Sequence, residues 1–186
     1  MNLVTIARAS APTLSASTVD YGGSVTIYTN RASTDFTHNM WASFSGETVT
    51  IGNSYTTSAT FTVPVSLMNK IPNATSSWGT IYVDTYIRAT FIGTKTIVLN
   101  TTVPASIVPT ITTKTHVEAV AGIFANIGGY VQGISKVAAT LAGAGTYSST
   151  ITGYEITIEG KTYTGTNVTS DLLSGSGSST ITYKVT

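Results

Sequence analysis

The chain has 186 residues, nine Lys and Arg against eight Asp and Glu, two His, no Cys, and a formal net charge of +1. There is no basic stripe to hold a nucleic acid and no polybasic run to hold an anionic membrane. Without cysteine there is no disulfide, thiolate catalyst or Cys-ligated zinc.

Thirty-seven Thr and 21 Ser, set in short runs that alternate with apolar residues, predict half-buried β-strands over most of the length. Thr is stiff at χ1 and covers the solvent side of a pleated surface without adding charge. Residues 3–9 read as a leading strand or linker, and Met1–Ser10 lacks the apolar segment of a signal peptide. Pro12 opens TLSASTV as one strand, Tyr21-Gly22-Gly23 turns the chain, and SVTIYT follows with Val25 and Ile27 on one side. DFTHNMWASFS, Asp35 to Ser45, is the most informative strand. Phe36, His38, Met40, Ala42 and Phe44 form a credible core face, and Thr37, Asn39, Trp41 and Ser43 point outward.

A short strand TVTI follows Gly46-Glu47, and Gly52-Asn53 is expected to turn it into YTTSATFTV, where Tyr55, Thr57, Ala59, Phe61 and Val63 share a side. Pro64 and Pro72 bracket VSLMNKI, whose Leu67 and Ile71 predict a single helical turn with Pro64 at its first position. WGTIYVDTYIR resumes alternation, with Ile81, Val83, Thr85 and Ile87 inward and Trp78, Tyr82, Asp84, Tyr86 and Arg88 outward. A hairpin around Gly93 returns the chain through TKTIVLNTTV to Val103.

Pro104 and Pro109 are poorly suited to a central strand and mark a boundary, giving a domain over 1–105 and a smaller one over 106–186. Ile107 and Val108 predict a packed junction. The second part runs through ITTKTHV, a Gly-rich loop, KVAATLA, TITGYEITIEG, a turn at Glu159-Gly160-Lys161 into TYTG, VTSDLL, a flexible SGSGSS and TITYKVT. Glu118–Ile134 is the longest apolar-leaning stretch, but Asn126, Gln132 and its Gly pair make it too polar for a membrane span. It reads as a Gly-rich loop or frayed edge strand, with a membrane-inserting or partner-binding loop as the alternative. The uncapped last strand predicts a boundary inside a longer chain. Sequons at Asn73, Asn100 and Asn167 are expected by chance in a chain so rich in Thr and Ser. The expected fold is all-β: two immunoglobulin-like antiparallel β-sandwich domains in tandem, sharing architecture without an alignable repeat.

The supply of catalytic groups is small. His38 and His116 are the only imidazoles, and His38 shares its face with Phe36 and Met40, as a core histidine would. No G-x-S-x-G elbow, phosphate loop or dinucleotide fingerprint occurs. Glu155 and Glu159 lie four apart in one strand, roughly 13 Å, beyond the ~5 Å or ~6.5–9.5 Å that glycosidases use. Asp20, Asp35 and Asp84 are free to meet in space but lack the spacing of a calcium loop. No metal, cofactor or enzymatic activity is predicted. The aromatic content is the better lead, at ten Tyr and two Trp. If DFTHNMWASFS and WGTIYVDTYIR are sheet neighbours, Trp41, Tyr82 and Tyr86 project from one outer face. They would stack on sugar rings or receive a neighbouring protein, unless they are cross-strand fillers.

TIARASAPTLSAS from Thr5, IPNATSSWGTIYVDTY from Ile71, FIGTKTIVLNTTVPASIVPTI from Phe91 and ITGYEITIEGKTYTGTNVTSDLL from Ile151 resemble one family over essentially the whole chain. It is the tail-associated minor structural proteins of siphoviruses that infect streptococci and related Gram-positive bacteria. The resemblance implies an internal piece of a longer protein, with no catalytic residues to carry over. It implies a structural module of a phage tail tip, fibre or decoration, made in the host cytoplasm and used in the virion. Its partners would be other tail proteins or further copies of itself. Trp41 stands where the family is expected to carry a small hydroxyl residue, so an aromatic site would be this chain's own. The rival reading is a carbohydrate-binding module that recognises polysaccharide on the bacterial surface.

Overall fold

A computed structural model describes residues 7–119 and 129–186, and the Gly-rich segment 120–128 lies outside the described residues. The chain divides into two compact units, Met1–Ala105 and Ser106–Thr186. Nearly all regular structure is β-strand, arranged in four sheets among the described residues.

The first unit contains β1 (Thr13–Leu14), β2 (Thr18–Asp20), β3 (Ser24–Tyr28), β4 (Phe36–Phe44), β5 (Glu47–Tyr55), β6 (Ser58–Thr62), a 3-10 helix (Val65–Lys70), β7 (Ser76–Ile87) and β8 (Thr90–Thr102). One sheet has the order β1-β3-β6 and the other β2-β8-β7-β4-β5. Period-two alternation builds both. On β4, Phe36, His38, Met40, Ala42 and Phe44 are buried while every residue between them is half-exposed. On β7, Ile81, Val83 and Thr85 are buried in the same rhythm, with Ile87 half-buried. Val25, Ile27, Ala59, Phe61 and Val63 complete the core, and the Phe44 and Phe61 rings meet at 6.1 Å. Phe44 pairs with Gly79 across the β4–β7 ladder. A Cβ at Gly79 would overlap the Phe44 ring, so glycine there is a packing requirement.

Local chain reversals depart from expectation in four places. TLSASTV is two strands: Thr13 and Leu14 pair with β3, and Thr18–Asp20 crosses to run parallel with β8. Gly52-Asn53 is not a turn. β5 continues through it with register shifts against Met40, and Gly52 takes φ +149° beneath the Tyr55 ring, a close approach that a Cβ would forbid. The reversal falls instead at Thr56-Thr57, so Tyr55 and Thr57 leave the inward set while Ala59, Phe61 and Val63 keep their places. The β7–β8 hairpin turns at Arg88-Ala89, with Arg88 at φ +53°, and Gly93 sits inside β8 at a bulge opposite Thr85. The turn after Pro64 is 3-10, with Pro64 at the N-cap. The adjacent Leu67 and Met68 are buried, and Ile71 only partly so.

The second unit contains β9 (Thr110–Ala119), β10 (Lys136–Ala144), β11 (Tyr154–Ile158), β12 (Lys161–Thr164), β13 (Asn167–Thr169) and β14 (Ile181–Val185), in sheets ordered β13-β10-β9 and β12-β11-β14. Val137, Ala139, Leu141, Ile156 and Ile158 form its core, flanked by Tyr154, Tyr163, Val168, Leu173, Ile181, Tyr183 and Val185. Glu159 sits at the β11–β12 turn. Its carboxylate accepts from the Ser174 and Gly175 backbone N–H groups and the Ser174 hydroxyl, tying down the start of the Ser/Gly segment.

Two substitutions test this packing. Gly79→Ala drives a methyl into the Phe44 ring and is expected to destabilise the first unit by roughly 1–3 kcal/mol. An unchanged denaturation midpoint would refute the close approach. Thr101 is fully buried, and its hydroxyl has no hydrogen-bond partner among the described residues. Thr101→Val removes that uncompensated group and is expected to raise the melting temperature, by the equivalent of about 1 kcal/mol.

Candidate functional site

β4 and β7 are antiparallel neighbours, and their register sets Trp41 opposite Tyr82. Both side chains project from the outer face, and their rings stack with centroids 3.7 Å apart and planes within 2° of parallel. Tyr86 lies on the same face, four residues along β7 and roughly 13 Å from Tyr82 at ~3.3 Å per residue. It stands opposite Thr37 and packs against Phe91 of β8 instead, at 5.6 Å and 60°. The structure therefore joins Trp41 to Tyr82 and leaves Tyr86 in a separate pair. Phe91 was hidden in the sequence because the β8 bulge decides which of its residues meets Tyr86.

Tyr82 covers one face of the Trp41 indole. The other is turned toward β5, where a shallow hollow of about 460 Å³ is lined by Asn39, Met40, Trp41, Thr48, Thr50, Asn53 and Asp84. Asn39 Oδ1 accepts the Ser54 backbone N–H at 3.1 Å, which fixes the amide and leaves its NH₂ as a donor. Asp84 stands opposite Asn39 in the ladder and accepts from the Thr94 hydroxyl through Oδ1 at 2.5 Å. Asn53 is exposed. No motif in the sequence marks this group. Thr50 pairs with Trp41 in the ladder, and Asn53 joins it because β5 runs past Gly52 rather than turning there.

Other candidates are occupied. His38 lies in the core at 0% exposure, between the Ser10 hydroxyl at 2.8 Å from Nε2 and the Tyr55 carbonyl at 3.0 Å from Nδ1. A carbonyl only accepts, so Nδ1 carries the proton and Nε2 accepts from Ser10 in the neutral ring. Burial lowers the His38 pKa, the Tyr55 bond opposes that shift, and the charge of Arg31 adds to it. Glu155 is paired with Lys184 at 3.1 Å, whereas Glu159 lies beyond the end of β11 and holds Ser174 and Gly175. Those backbone hydrogen bonds keep the Glu159 carboxyl below its ordinary range. Asp20, on the edge strand β2, accepts from Thr102, while Asp84 is on β7. No three His, Cys, Asp or Glu side chains gather among the described residues.

A larger hollow of about 840 Å³ near residues 7–11 is lined mainly by Ala7, Ala9, Ala11, Ala32, Phe36 and Ile87. The Asn30 amide at its rim is committed to the Ala11 carbonyl and the Thr13 hydroxyl. A third, of about 340 Å³ in the second unit, is bounded by Glu159, which is already committed to Ser174 and Gly175. No helix among the described residues is long and apolar enough to cross a membrane.

What emerges is a β-sheet protein whose distinctive chemistry lies on one outer sheet face. All of residues 1–186 match the family described as "Siphovirus protein of unknown function (DUF859)", and the chain belongs to that family. It is accordingly a phage protein, made in a bacterial host. No curated protein sequence matches it significantly.

The His38 environment carries a pH dependence. Because the folded state resists protonation, its contribution to stability is complete above the ordinary imidazole value of 6.5 and is lost as pH falls below it. The slope is at most about 1.4 kcal/mol per pH unit for one group. The melting temperature is expected to drop between about pH 7 and about pH 5, and to drop less in His38→Gln. Equal slopes in the two proteins would exclude His38 as the source.

Proposed function

We propose that this chain is a non-enzymatic structural module of a siphovirus tail, part of a tail tip, fibre or decoration, acting as a rigid spacer with an assembly or adhesion surface. The observation that carries this reading is the outer face of the five-stranded sheet. Trp78 is 62% exposed there, Val98 53% and Phe91 55%. Trp78 and Val98 lie together near one end of the β7–β8 ladder, and Phe91 with Tyr86 lies at the other, about 26 Å away along β7. Large apolar groups displayed on a sheet with little surrounding charge suit contact with other proteins. Membership of a siphovirus family supplies the setting, and the partners are other tail proteins or further copies of this one.

We also infer that the units are two immunoglobulin-like sandwich domains, 1–105 and 106–186. In that fold one sheet carries strands A, B and E and the other C, F and G, with C′ added beside C in variable-type domains. The order β1-β3-β6 follows A-B-E, and β8-β7-β4-β5 follows G-F-C-C′. In the second unit β9-β10-β13 follows A-B-E and β12-β11-β14 follows C′-C-F. The long paired strands of the first unit, β7 with 12 residues and β8 with 13, make that domain stiff, which suits a spacer.

The test is made on particles. In purified virions of the encoding phage, mass spectrometry is expected to find the chain in fixed stoichiometry, with antibody label on the tail. Trp78→Asp with Val98→Asp is expected to cut incorporation by about tenfold or more without changing the melting temperature. A chain confined to infected-cell lysate and absent from particles would overturn the proposal.

A further inference from the structure

We propose that the hollow between Trp41 and β5 is a binding site for one neutral, hydroxyl-rich sugar ring, a hexopyranose unit of a polysaccharide. This does not depend on the tail assignment, because it uses the β4–β5 side of the sheet face and the assembly surface uses the β7–β8 side.

The ring stack is the first observation. Trp41 is backed by Tyr82 at 3.7 Å, so the indole is held upright and its remaining face is presented to the hollow. A pyranose has an apolar C–H face and a polar perimeter, and a rigid aromatic face receives it at little cost in side-chain entropy. The second observation is the rim. Asn39, Asn53, Thr48, Thr50 and Asp84 line the hollow beside Trp41, so amide, hydroxyl and carboxylate groups are the polar chemistry available there. Amides and carboxylates pair with adjacent hydroxyls because one group donates or accepts at two points. Asn39 offers its NH₂, since its oxygen is held by Ser54, and Asp84 offers Oδ2, since Oδ1 is held by Thr94. Both are therefore oriented before a ligand arrives, which lowers the cost of binding.

Charge selects the class of sugar. No Lys or Arg lines the hollow, and its one ionisable group is Asp84. A phosphate, sulfate or uronate would meet that carboxylate without a compensating cation, so anionic glycans are disfavoured. Its volume of about 460 Å³ is at the small end for ligand sites. Its openness along the sheet fits a single unit of a chain that continues past it.

The chain has only two tryptophans, so Trp78→Phe leaves Trp41 as the sole indole reporter. The 186-residue protein is applied to an array of neutral, N-acetylated and anionic oligosaccharides, and each hit is titrated by fluorescence against the Trp78→Phe protein. At least one neutral or N-acetylated oligosaccharide is expected to bind and to shift Trp41 emission. Trp41→Ala and Asn53→Ala are each expected to weaken it by about tenfold or more, while Trp78→Phe leaves it unchanged. Asn53 is exposed, and its side chain makes no hydrogen bond among the described residues, so Asn53→Ala keeps the test valid if Trp41→Ala fails to fold. Absence of any neutral hit, hits confined to anionic glycans, or binding that survives Asn53→Ala would each overturn the proposal.

Discussion

The register between β4 and β7 fixes both the interior and the exterior of the first unit. Phe36 faces Ile87, Met40 faces Val83 and Phe44 faces Gly79 on the buried side, while Trp41 faces Tyr82 on the other. Because side chains alternate with a period of two, a slip of one residue would carry Trp41 inward and Phe44 into water. The Phe44 ring over Gly79 resists that slip, since no other residue on this stretch of β7 leaves room for it. The stacked pair outside is therefore placed by the same register that seals the core.

Alternation made that much legible from sequence. The inward faces of β4 and β7, the outward position of Trp41 and its proximity to Tyr82 all follow from period two once the strands are taken as neighbours. What was illegible were the places where glycine has two meanings. Gly52 and Gly93 have the composition of turns, yet each lies within a strand at an irregularity in the ladder. The true reversals, at Thr56-Thr57 and Arg88-Ala89, carry no turn signature, because the lengths of the paired strands decide where the chain must fold back. The rim of the Trp41 hollow inherited that ambiguity: Asn53 belongs to it only because β5 does not end at Gly52.

The scarce carboxylates serve as fasteners. Glu159 gathers two backbone N–H groups and a hydroxyl from the Ser/Gly segment, and Asp171 bridges Lys161 at 2.5 Å beside the Tyr163 ring. Asp20 and Asp84 each take a threonine hydroxyl from β8. A chain with few charges thus uses them to order segments that have little apolar area to bury, and the cores are left to aliphatic and aromatic packing.

Among the described residues, β14 is paired on one side only. Its inward residues Ile181, Tyr183 and Val185 are half-buried, whereas Ile81, Val83 and Thr85 of β7, flanked on both sides, are sealed. Tyr183 reaches across to the Thr115 carbonyl and His116, so its phenol links β14 to β9. Local opening is easiest where backbone amides have solvent beside them and little apolar contact beneath. In native-state hydrogen exchange the amides of Ile181–Val185 would accordingly trade deuterium well before those of β4 and β7.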